Sequence, residues 1–371
     1  MSKLAPLVFS LFLFLYCAEC KPKSPDFVRA SGVVAGQRYE GEVDSPIARY
    51  FVEEYLQGRK SDALLHERMD RLTEKFAGRL PSSEELREIS REFSIDFATL
   101  FFADRVFSED ANQQVRRIYE EELAKAGAKA EGPHPLRTIF VPGWLYVSHP
   151  ENGGDLARQR VTLKSEGVET LLLEIDETGT VEENAAAVAA AVRQAQKDVV
   201  LVSASKAGTE VALALGSLLR PEETKPVKAW LNVGGILKGS PLADGVMDSL
   251  IKRWGVRTFF WWKNWKWKSL VSMETKRRTE ALQNIRIPEN VLVLNLLGCP
   301  LQKTLSEMGR DGYETMKELG PNDGLLLLGD AILPGTLTIA EVGMDHYFLT
   351  PDIDRITKAL YWTMMRKLAG E

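Results

Sequence analysis

The chain has 371 residues with 47 basic and 52 acidic side chains, a net charge of −5. That length buries a large core, and the charge balance excludes a global positive field of the kind that holds nucleic acid. Only three cysteines occur, which excludes a disulfide-stapled scaffold; Cys299, the one in the body of the chain, reads as a small buried hydrophobe.

Residues 1–20 differ in kind from the rest. Lys3 precedes an almost wholly apolar run from Leu4 to Tyr16, and Cys17-Ala18-Glu19-Cys20 comes next, before the polar Lys21-Pro22-Lys23. This is the pattern of an export signal, too short to span a bilayer comfortably. Cleavage after Cys20 and lipid modification at Cys17 or Cys20 are alternatives, and the expected location is periplasmic, envelope-attached or secreted. Residues 21–43 show no clear period and read as an extended arm.

From 44 to about 130 the text is helical. Ser45-Pro46 opens a helix carrying Ile47, Tyr50, Phe51 and Tyr55 at helical spacing. A second helix covers roughly 60–77 and carries His66, expected at the surface. Ser82 with Glu85 forms a capping-box signature ahead of Leu86, Ile89 and Phe93, and two more helices fall near 96–107 and 109–126. The region holds no ligand set and reads as an accessory helical domain, with Ala124 to Pro135 as its linker.

From 131 to 371 strands and helices alternate. Apolar runs at Thr138–Val141, Thr170–Leu173, Val199–Val202, Val227–Val233, Val291–Leu297 and Leu337–Val342 are separated by helical segments. Strands with so little internal alternation belong in a mostly parallel sheet covered on both faces. Right-handed crossovers then make it doubly wound, an α/β class. The alternation pauses between about 240 and 288, which marks a cap.

The third run ends abruptly in Ser203-Ala204-Ser205-Lys206-Ala207-Gly208. A strand turning that sharply into a helix lifts Ser205 above the sheet, and the first helical N–H groups, beginning with Lys206, point at charge gathering there. The segment resembles the nucleophile elbow of the α/β-hydrolase family, written G-x-S-x-G, with S-x-S-x-A in its place. The likeness extends to other stretches. Val141-Pro142-Gly143-Trp144-Leu145 ends the first strand where that family places an oxyanion donor, here the N–H of Trp144 or Leu145. Pro321-Asn322-Asp323-Gly324 looks like the acid segment of bacterial lipases and esterases, and His346 comes after the last strand. Gly239-Ser240-Pro241-Leu242-Ala243-Asp244 is similar to a segment of lipase-like hydrolases.

The resemblance, over about two-thirds of the chain, implies a catalytic triad of Ser205, Asp323 and His346, with Trp144 and Lys206 supplying the oxyanion N–H groups. Asp311 and Asp330 stand as alternatives to Asp323, because residues 301–319 insert a helix ahead of it, and His149 competes with His346. No metal or organic cofactor is required. Within the cap, Arg257 to Lys268 holds Trp261, Trp262, Trp265 and Trp267 amid lysines. Such rings suit a lipid–water interface, an acyl-chain groove, or packing against the helical region. The implied substrate is an ester or lipid-like small molecule, with contact at a membrane surface. The same triad serves acyl transfer and thioester cleavage; the contrasting reading is an inactive hydrolase-shaped binding or scaffold protein at the envelope. Neither oligomeric state nor acyl length is written in the sequence.

Overall fold

The computed structural model describes residues 26–125 and 136–371. The expected export signal, its two cysteines and most of the expected linker lie outside the described residues.

Six parallel strands form the central sheet: β3 (Arg137–Val141), β4 (Glu169–Leu172), β5 (Val199–Ala204), β6 (Val227–Val233), β7 (Leu292–Cys299) and β8 (Leu337–Val342), in the order β4-β3-β5-β6-β7-β8. Outside the half-exposed edge strand β4, their side chains alternate between two buried faces, which is why those runs read as continuously apolar. Ile139, Val141 and Leu201 pack with α7 (Val181–Arg193) and α8 (Ala207–Leu213). Phe140, Val200 and Val202 share the opposite layer with α6 (Ala157–Ser165) and the long α15 (Ile353–Leu368). The chain runs from β3 outward to β4 and returns to β5 on the other side of β3. The sheet therefore reverses its winding between β3 and β5, and a crevice opens at their carboxyl ends.

The residues before 125 differ in three respects from the sequence reading. The expected arm is a β-hairpin from residue 28: β1 (Val28–Val34) pairs antiparallel with β2 (Gln37–Val43). Its turn residues Ala35 and Gly36 both have positive φ, 50° and 76°. A tight hairpin turn of this hand usually announces itself as Asn-Gly or Asp-Gly, so Ala-Gly hid it. Ala30, Val34, Tyr39 and Val43 are its buried positions, and the intervening side chains are mostly charged or small.

The next helices are α1 (Pro46–Tyr50), α2 (Ala63–Lys75), α3 (Ser83–Glu92), α4 (Ile95–Phe107) and α5 (Asp110–Ala124). The Ser82–Glu85 capping box is present with both of its hydrogen bonds. These helices are not packed only among themselves. Phe97, Phe101 and Phe102 of α4 belong to one core with Leu297, Cys299 and Ala340 of β7 and β8, while Val115 and Tyr119 of α5 join the core under α15. His66 is buried rather than at the surface, its ring 4.9 Å from that of Tyr55. A single turn, α9 (Pro221–Thr224), precedes β6. Between β6 and β7 the expected cap folds into four helices, α10 (Pro241–Met247), α11 (Leu250–Lys263), α12 (Trp267–Val271) and α13 (Thr275–Gln283). The inserted helix before Asp323 is α14 (Glu307–Met316).

Candidate active site

Ser205 sits between β5 and α8 with φ of +57°, a left-handed backbone conformation that is strained for a side chain other than glycine. The turn is held there by backbone bonds: Ser205 N–H donates to Val233 O at 3.1 Å, and Ser205 O accepts from Gly208 and Ile236, both at 3.0 Å. Ser205 alone among residues 199–210 is partly exposed. Close approach is possible because the neighbours are small. A Cβ on Gly208 would lie 2.7 Å from both Gly235 Cα and Asn232 Oδ1, and one on Gly143 would lie 3.4 Å from Ser205 Cβ.

Ser203, standing where the resembled motif has glycine, has work of its own. Its hydroxyl accepts from Trp230 Nε1 at 2.8 Å and donates to Asn232 Oδ1 at 3.0 Å. Asn232 Nδ2 donates on to Asn295 Oδ1 at 3.1 Å, and Asn295 Nδ2 reaches Thr338 Oγ1 at 3.2 Å. Ser203, Asn232, Asn295 and Thr338 are register partners across β5 to β8, so a buried polar ladder crosses the sheet beneath the elbow.

The structure brings Ser205, His346 and Asp323 together. His346 Nε2 lies 2.9 Å from Ser205 Oγ, and its Nδ1 lies 2.7 Å from Asp323 Oδ2. Asp323 is fully buried, and its other oxygen, Oδ1, accepts the N–H groups of Leu325 and Leu326 at 2.9 Å each. His346 N–H donates to Asp323 O at 2.9 Å, pinning the two loops together. Asp345 clamps the His346 loop to the approach of α14, accepting Ser306 N–H at 2.7 Å. Burial, together with the Asp323 and Asp345 charges, holds the neighbouring Tyr347 hydroxyl well above its ordinary pKa.

The alternatives lie elsewhere. Asp330 is paired with Lys238 Nζ at 2.9 Å, and Asp311 is exposed on α14. His149 bonds Glu151 at 2.8 Å and sets its ring edge-on to Trp265. At the oxyanion position Leu145 N–H is already committed to Glu177 O at 3.2 Å and Gly143 N–H to Gly154 O at 2.8 Å. The N–H groups of Trp144 and Lys206 have no acceptor among the described residues.

Sequence reasoning missed Glu210. One turn after Lys206, it is buried with Lys206 and accepts its ammonium, while Asn184 Nδ2 donates to the same oxygen at 2.9 Å. Burial pushes the Glu210 carboxyl above the usual carboxylate range against the opposing pull of Lys206. Asn184 also donates to Asp176 O at 3.0 Å, so this pair ties α8 to α7 and to the loop bearing Glu177.

The four tryptophans divide. Trp265 and Trp267 are partly buried with Phe260, and Trp144 reaches into the same cluster, 5.9 Å from the Phe260 ring and 6.5 Å from Trp265. Trp261 and Trp262 face solvent. Among the described residues no three His, Cys, Asp or Glu side chains gather as a metal-binding group.

No protein-family model and no curated protein matches this sequence. Among solved structures it is similar to a metagenomic carboxyl esterase, with a TM-score of 0.51 and 22% identity over 65% of this chain and 77% of that one. It is also similar to a Bacillus licheniformis lipase in mature form, with a TM-score of 0.50 and 21% identity over 65% and 96% of the two chains. With the sheet order and the elbow, these likenesses define the class: the chain has an α/β-hydrolase fold of the kind found in lipases and esterases.

Proposed function

We propose that this protein is an exported serine hydrolase that cleaves carboxylic esters, with Ser205 as nucleophile, His346 as general base and Asp323 as the acid that orients it. The observation that carries the reading is the unbroken hydrogen-bond line from Ser205 Oγ through His346 to buried Asp323. In the resting tautomer Nδ1–H donates to Asp323 and leaves Nε2 to accept the serine proton as Oγ attacks the ester carbonyl. The N–H groups of Trp144 and Lys206, without acceptors among the described residues, stabilise the oxyanion. His346 then returns the proton to the leaving alcohol, and water attacks the acyl-enzyme with the same base. The aromatic cap favours an apolar acyl group, and exposed Trp261 and Trp262 favour a lipid-like ester met at a membrane surface.

A fluorophosphonate probe mapped by peptide analysis tests this. Labelling is expected at Ser205 and is lost in Ser205→Ala, whose hydrolysis of short p-nitrophenyl esters falls by about a millionfold where the residues act as a unit. Wild-type turnover in Ser205→Ala would refute the assignment, and an unlabelled, inactive wild type would favour the scaffold reading.

A further inference from the structure

Helix α11 is held to the body by one stripe. Val256 and Phe260 are its buried residues, packed in a small cluster with Val246 and with Trp144 of the oxyanion loop. Around the rest of the helix large apolar side chains stand in solvent: Leu250, Ile251, Trp254, Trp261 and Trp262 are 65%, 72%, 71%, 80% and 68% exposed. At about 100° per residue these five fall within an arc of about 120°, centred opposite the Val256–Phe260 stripe. The same projection places Arg257 about 20° and Arg253 about 60° from one edge of the arc, while Lys252 and Lys263 fall beside the Val256 stripe. No acidic residue occurs from Ser249 to Met273. Lys266 is engaged by Asp176 and Glu183, whereas Lys252, Arg253, Arg257, Lys263 and Lys268 form no ion pair among the described residues.

We infer that α11 lies in the plane of an anionic phospholipid surface, with its tryptophan arc in the headgroup boundary and Arg253 and Arg257, at one edge of that arc, on the lipid phosphates. Exposed indole rings over an apolar arc suit that boundary, where one end of the ring is wet and the other is not. The uncompensated cations give the charge complementarity: each contributes roughly fivefold to partitioning onto an anionic surface. A second copy of this chain is a poor occupant, since a two-fold contact would set this cationic face against itself. Among the described residues no helix is long and apolar enough to cross a membrane, so the contact is with the surface. The inference rests on the proposed ester hydrolysis in one respect, that the ester is then drawn from the bilayer on which α11 rests. Anchored through Phe260 beside Trp144, the docked helix is the part of the cap that adjoins the loop after β3.

The test is vesicle co-sedimentation of the chain from residue 21, without the apolar run of the expected export signal. Vesicles of phosphatidylcholine with about 30% phosphatidylglycerol are compared with phosphatidylcholine alone. Wild type and Ser205→Ala are expected to bind the anionic vesicles equally, with a blue shift of tryptophan emission. The triple variant Trp254→Ala, Trp261→Ala, Trp262→Ala should bind at least tenfold less, and neutralising Arg253 and Arg257 to Gln should cost roughly twenty-fivefold. These side chains are exposed, and unchanged circular dichroism verifies folding. Binding that survives both sets of substitutions overturns the inference, as does equal affinity for neutral vesicles. So does absence of vesicle binding with a concentration-dependent dimer that the tryptophan variant abolishes. If Ser205→Ala binds vesicles and retains hydrolysis, docking stands while the catalytic assignment fails.

Discussion

Replacement of Asp323 by Asn separates the role of its charge from the role of its shape. The two carboxylate oxygens have different partners: Oδ1 accepts two backbone N–H groups, from Leu325 and Leu326, and Oδ2 faces His346 Nδ1 at 2.7 Å. An asparagine must keep its carbonyl oxygen toward Leu325 and Leu326. The reverse orientation would turn an NH2 group against two buried donors, at about 1–3 kcal/mol for each group left unpaired. The NH2 group therefore points at His346 and donates to Nδ1, which forces the proton onto Nε2, the nitrogen that takes it from Ser205 in the proposed mechanism. The fold survives and the base is blocked. A fall in kcat of about 10⁴, the size seen when a serine protease triad is altered in this way, is expected, or about 5 kcal/mol of lost transition-state stabilisation. Single-turnover acylation with a p-nitrophenyl ester measures it, with Asp330→Asn and Asp311→Asn as controls that keep most of their activity. Retention of more than a tenth of the rate by Asp323→Asn, or an equal loss in Asp330→Asn, would refute the reasoning.

Gly208→Ala places a methyl 2.7 Å from the Gly235 backbone and from Asn232; the forced shift should cost about 1–3 kcal/mol, read as a lowered thermal midpoint. Lys206→Met leaves the Glu210 carboxylate buried without its cation and should destabilise by about 3–5 kcal/mol, whereas Lys206→Met with Glu210→Leu should recover most of that loss in denaturant titrations. At the junction of the hairpin and α4, burial and the charge of Asp44 push the Asp96 carboxyl up to about 8. An unfolded aspartate titrates near 4, so the native state holds the extra proton between those values, and this stability is lost as pH rises through about 8. The thermal midpoint should fall from pH 6 to pH 8.5 in the wild type and fall less in Asp44→Asn, which removes the like charge; parallel slopes would contradict the assignment.

The sheet was legible because all its strands but the edge strand β4 are buried on both faces, so composition marked those runs, and β6 and β8 have the limits expected of them. The residues about the elbow were legible because Ser205 is bracketed by small side chains and because His346 and Asp323 come after strand ends. What escaped depends on partners distant in sequence. Lys206 and Glu210, four apart, read as an ordinary surface pair on a helix; only the covering by α7 makes them buried. His66 lies in a charged helix and gives no sign of the Tyr55 ring that covers it. The helices before residue 125 look self-contained, since nothing local shows that Phe97 and Phe101 meet β7. Trp254 is inconspicuous beside the denser tryptophan run because its exposure depends on which stripe of α11 is anchored.

The serine at position 203 has a bearing on how this sequence can change. Its hydroxyl is the acceptor for a buried indole and the first rung of the polar series reaching Thr338. Glycine there would strand the Trp230 N–H and unbalance Asn232, so Ser203→Gly is harmful until those two residues have also changed. Ser203, Trp230 and Asn232 are in that sense one unit: a change at any of them is tolerated only alongside matching changes at the other two.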